Sequence, residues 1–125
     1  MLKNGRTLED AFLLQAIRDY EELKPRQATL EMDMHHGTDV VMVRRDGTSL
    51  PIGLTRKMEV EKIRRDASKA ARAWHFWCEI IVPSSENEDL DIDNALSFIA
   101  NDLKESKGCY ALTCSNGSVH FAKIN

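Results

Sequence analysis

The sequence predicts a single α+β domain over residues 1–125: a mostly antiparallel sheet of two hairpins, packed against a long central amphipathic helix and two further helices. Three observations point there. Thr55 to Val82 is the longest run without Gly or Pro, and Val60, Ile63, Ala67, Ala70, Trp74, Trp77 and Ile81 recur in it at steps of three and four, the spacing of one helical stripe. Asp46-Gly47 and Asn116-Gly117 sit between strand-like runs, where they read as hairpin turns. Helical and strand patterns come in blocks and do not alternate, which separates α+β from βαβ architectures.

Taken in order, Thr7 reads as the N-cap of a first helix with Glu9 and Asp10 in its first turn. Leu13, Ala16, Ile17, Tyr20 and Leu23 are its expected buried face, and Pro25 stops it. Ala28 to His35 alternates Leu30, Met32 and Met34 with Glu31, Asp33 and His35. That alternation favours a half-buried strand over a short helix. Val40–Val43 and Leu50–Leu54 flank the Asp46-Gly47 turn, and Pro51 limits the second strand to an edge or a short length.

The central helix follows and ends by Pro83, although Trp77–Val82 is rich enough in aromatic and β-branched residues to form a strand instead. Ser84–Asp89 is an exposed acidic linker. Asp89 or Asp91 caps the next helix, which buries Ile92, Ala95, Leu96, Ile99 and Leu103 and stops at Gly108. Pairing around Asn116-Gly117 sets Leu112 opposite Phe121 and Cys114 opposite Val119, with Thr113 and His120 on the other face.

Length and composition describe one ordinary domain of 125 residues, 42% hydrophobic and 30% charged. A net charge of −3 supplies no overall attraction to nucleic acid or to anionic membranes. Cys78, Cys109 and Cys114 are odd in number and lack paired spacing, which fits free thiols in a reducing compartment. With no apolar signal core in MLKNGRTLEDAF, the expected location is cytoplasmic. No Gly-rich phosphate loop occurs, and no cofactor is expected.

The charges are unevenly placed. Lys62, Arg65, Lys69 and Arg72 form a basic helical stripe that spans roughly 15 Å at the helical rise. Phe76 lies beside it, and Glu86, Glu88 and Asp89 open an acidic stretch. These eight residues are the expected binding surface, since aromatics and charged side chains carry recognition at protein interfaces. His35-His36, flanked by Asp33 and Asp39, is a candidate metal or general-base site. On a strand the two imidazoles would point to opposite faces unless Gly37 turned the chain. Asp89-Leu90-Asp91-Ile92-Asp93 opens like a calcium loop but lacks the required Gly and final Glu. Cys114 and His120 fall on opposite hairpin faces, which argues against a thiol–imidazole pair.

These features lead to an expectation of a small intracellular binding module of inhibitor, immunity or adaptor type, not an enzyme, acting on another protein and able to form a homodimer. Two alternatives stand beside it: nucleic-acid binding through the basic helix face, and a metal-dependent enzyme with a site near His35/His36.

Overall fold

Six consecutive buried residues, Phe76–Ile81, form the middle of the sheet. A run apolar on both sides suits a strand covered on both faces, and this is the strand that the continuous helical stripe obscured. The computed structural model describes residues 7–124, without the side chains of Met34, His35 and His36. The chain runs α1 (Leu8–Asp19), a 3₁₀ turn (Glu21–Leu23), β1 (Arg26–Gln27), α2 (Leu30–His36), β2 (Val40–Val43) and β3 (Ser49–Thr55). Then come α3 (Val60–Ala71), β4 (Phe76–Ile81), α4 (Glu88–Ser97) with a π-helical turn (Phe98–Asp102), β5 (Gly108–Ser115) and β6 (Ser118–Lys123).

The strands lie in chain order, β1 to β6, in one sheet. The β1–β2, β2–β3 and β5–β6 pairs are antiparallel, whereas β3–β4 and β4–β5 are parallel. The expectation of a mostly antiparallel sheet built from two hairpins on a long central helix is therefore wrong. The domain is α+β with a mixed sheet. Its cause is the break in the predicted helix: α3 ends at Ala71, where Ala73 and Trp74 donate to the Ala70 carbonyl at 3.0 and 2.8 Å. The freed segment becomes β4, and α3 becomes the crossover that parallel pairing requires.

Other elements depart more locally. Residues 30–36 are helical, not a strand. Thr29 caps the helix by accepting from the Met32 N–H at 3.2 Å, and Gly37 ends it with φ 62°. Good helix formers between a Thr cap and a left-handed Gly outweigh a short alternation. Pro51 lies in an interior strand, yet it precedes the β3–β4 pairing, which begins at Ile52. At that residue β3 is still locally an edge. The first helix buries Leu8, Ala11, Phe12 and Ala16, so its inward face is rotated and Ile17 is exposed.

Several expectations hold. Thr7 accepts from the Asp10 N–H at 3.1 Å. Ile92, Ala95, Leu96 and Ile99 are buried, with Leu103 partly covered beside them. Asn116 and Gly117 both take positive φ, and Leu112 pairs with Phe121, Thr113 with His120 and Cys114 with Val119. The Asp46-Gly47 hairpin also forms: the Arg44 N–H donates to the Thr48 carbonyl and the Gly47 N–H to the Arg44 carbonyl, both at 2.9 Å, with Gly47 at φ 90°.

Strand alternation divides β4 between two layers. Phe76, Cys78 and Ile80 join the main core with α1 and α4, while Trp77 packs with Ala67 and Ala70 of α3. Trp77 is 1% exposed, whereas Trp74 is only partly covered. Trp77→Ala should therefore lower unfolding free energy by ~3–5 kcal/mol. Trp74→Ala should cost clearly less, and denaturant titration of both variants checks the contrast.

Candidate functional site

The turn after α2 delivers Asp39 to the start of β2, on the α3 side of the sheet. Asp39 donates its backbone N–H to the Ile52 carbonyl at 2.8 Å, and its Oδ2 accepts from the Leu54 N–H at 2.8 Å. Glu79 lies on the same layer as Trp77, two residues along β4, and pairs in register with Gly53 of β3. From α3 come Lys62, Asp66 and Lys69, one helical turn or so apart. These groups, with Asp33, Gly37 and Leu54, line a cavity of about 190 Å³.

A larger cleft of about 430 Å³ lies around Arg44 and Arg45 at the other end of β2. There the Arg44 guanidinium already donates to the Glu105 carbonyl and lies 6.0 Å from the centre of the Phe76 ring. The smaller cavity carries the chemistry, because several ionisable groups converge on it from four elements.

Its charges are poorly compensated. Burial is the largest influence on Glu79 and lifts its carboxyl to about 8; the Asp39 charge adds to this, Lys62 opposes it, and Asp66 adds a little more. Burial likewise lifts Asp39 to about 7 against the Leu54 N–H, helped by a shared hydrogen bond with Asp33 and by the Glu9 and Asp33 charges. Lys62 is held by Asp66, Nζ to Oδ2 2.9 Å, an interaction that raises the lysine's pKa. Glu79 is 3% exposed, and no described residue hydrogen-bonds its carboxyl. A buried acid beside a half-buried one favours a proton or a cation between them. Trp77, on the same face of β4, holds the cavity-lining Gly37, its indole N–H donating to the Gly37 carbonyl at 3.2 Å.

The predicted site residues fare unequally. Lys62 and Lys69 line the cavity, while Arg65 and Arg72 are exposed. Phe76 is no surface anchor: it is buried and stacks on Tyr110 with centroids 5.7 Å apart. Glu88 forms an ion pair with Arg56, which also donates to the Val82 carbonyl at 3.3 Å, whereas Glu86 and Asp89 stay exposed. His35 and His36 end α2, and their side chains lie outside the described residues, but their neighbours Asp33 and Asp39 both reach the cavity. The 89–93 segment is α4 helix; Asp91 accepts from the Gly117 N–H at 3.3 Å and Asp93 from the Tyr20 hydroxyl at 2.8 Å. Glu79 was missed. Its signal was a lone acid inside the apolar run Phe76–Val82, which a two-residue period would have placed beside Trp77.

The structure thus defines a mixed-sheet α+β domain with an acid- and lysine-lined cleft against one helix. No family model matches the chain, and no curated protein does. Among solved structures it is similar to the YaeQ protein from Xanthomonas axonopodis pv. citri at 13% identity, covering 94% of this chain and 74% of that one, with a TM-score of 0.33. That likeness is too slight to carry an argument. Among the described residues no helix is long and apolar enough to cross a membrane.

The raised acids make stability depend on pH. Folded Glu79 and Asp39 keep protons up to about 8 and about 7, which the unfolded chain releases near 4.5 and 3.8. The native state therefore binds more protons across that window, and stability falls as pH rises through it. Glu79→Gln should melt several degrees above wild type at about pH 8.5 and close to it at about pH 5. Calorimetric melting at the two pH values checks this; equal pH slopes would exclude Glu79 as the source.

Proposed function

We propose that the cleft binds a divalent cation of the Mg²⁺ or Mn²⁺ kind and acts on a phosphate ester, with nucleic acid as the substrate class. The observation that supports this most is the Glu79 carboxyl, buried beside Asp39 without a hydrogen-bond partner among the described residues. Among those residues no three His, Cys, Asp or Glu side chains are arranged to hold an ion by themselves. Mg²⁺ commonly takes only one or two carboxylates and fills its other positions with water and substrate phosphate.

In this reading Asp39 and Glu79 supply the carboxylates. A bound cation would polarise the phosphoryl group and lower the pKa of an attacking water. Lys62 and Lys69 stand on the cavity wall as donors toward the negative charge that builds on the phosphoryl oxygens. Arg65 on the same helix and Arg72 just past its end, both exposed, extend the positive field over which a polyanion would lie. Part of the basic stripe, Lys62 and Lys69, and the two acids that flank the histidines, Asp33 and Asp39, separate in the sequence, are brought to one cavity. The three free thiols fit a cytoplasmic setting for it.

Association with another protein, or with a second copy, is the other reading. It is favoured by Leu14 and Ile17, a turn apart on α1 and 57% and 50% exposed.

The test is a Mn²⁺ titration followed by incubation with a labelled oligonucleotide. Wild type should gain thermal stability with the cation and cleave the oligonucleotide. Asp39→Asn and Glu79→Gln should bind the cation about 10–100-fold more weakly. Lys62→Ala should bind it normally and cleave more slowly. Neither cation binding nor cleavage in wild type would contradict the proposal and leave the association reading.

A further inference from the structure

Gly53 stands directly opposite Glu79 in the parallel ladder. It is not among the glycines with positive φ, so its backbone would accept any residue. What demands glycine is space. A Cβ built on Gly53 would overlap Glu79 Oε1 and would lie 2.9 Å from Trp77 Cζ2 and 3.0 Å from the Gly37 carbonyl oxygen. The first of these neighbours is the carboxyl itself. Glu79 leans across the ladder and occupies the place that a side chain on β3 would fill.

We propose that Gly53 is the positioning residue of the cleft: its missing side chain is the opening through which Glu79 presents its carboxyl, and the same place can be reached by a carboxyl borne on residue 53. Neighbouring strands are about 4.8 Å apart and point their paired side chains to the same face. A short acid on β3 therefore ends near where the longer Glu79 ends after crossing from β4. The ligand side of this inference rests on the cation reading above, whereas the steric side does not.

Two experiments separate them. The first is a stability cycle without any cation. Gly53→Ala should lower the melting temperature of wild type markedly and that of Glu79→Ala less, because there the overlap with the carboxyl is gone and only the contacts with Trp77 and the Gly37 carbonyl remain. Equal losses in both backgrounds would overturn the steric claim. The second uses terbium as the probe, with Trp77 beside the cleft as its sensitiser. Wild type should show a luminescence titration that Mn²⁺ reverses. Glu79→Ala and Gly53→Ala should each weaken binding at least about tenfold. Gly53→Asp combined with Glu79→Ala should recover most of the loss.

A double variant that melts like Glu79→Ala yet binds no better would overturn the interchange of the two positions while the cation reading stands. No terbium response in wild type would remove the cation reading and the ligand side with it, and the stability cycle would still decide the role of Gly53.

Discussion

A carboxyl in the middle of a six-stranded sheet is the constraint around which the cleft is built. Glu79 cannot be moved outward, because β4 is paired on both edges and its alternation is pinned by Phe76, Cys78 and Ile80 in the main core. It faces α3, and everything nearby is shaped to receive it. Gly53 contributes no side chain, Trp77 packs beside it and holds Gly37, and α3 brings lysines where a helix packed for stability alone would bring Leu or Ile. Burying an acid with so few partners is unfavourable. Such a feature is expected where a ligand supplies the missing charge.

The two layers on either side of the sheet have correspondingly different characters. On one face α1 and α4 close a continuous apolar core from Leu8 to Cys114. On the other, α3 makes a small contact through Ala67, Ala70 and Trp77 and leaves its polar side over the cavity. Small residues on α3 bring it close to the strands, and Gly37 brings the end of α2 close to Asp66. Stability therefore resides mainly in one layer. The other is free to hold charges that would weaken a core.

Local chemistry was readable from the sequence where it was decisive. Asn116-Gly117 specified both the turn and the register of the last hairpin, and Thr7 specified the first helix start. The sheet was not readable, for a definite reason. Trp74, Trp77 and Ile81 satisfy a helical spacing, while Trp77 and Ile81 with Glu79 also satisfy a strand spacing, and periodicity alone does not separate them. Read as helix, that segment offers no strand for β3 or β5 to pair with in parallel. Asp39, Lys62 and Lys69 are each candidates on the sequence alone. Their meeting with Glu79 depends on the β3–β4 register, a contact between segments that no local pattern encodes.

The proposed cation site rests on Asp39 and Glu79. Carboxyl-carbon NMR of the two side chains across pH, with and without Mg²⁺, tests it most directly. Midpoints of about 7 and about 8 are expected in the metal-free protein, both displaced downward when Mg²⁺ is added. Two carboxyls already ionised by about pH 5, as ordinary exposed acids are, and unmoved by Mg²⁺ would contradict it.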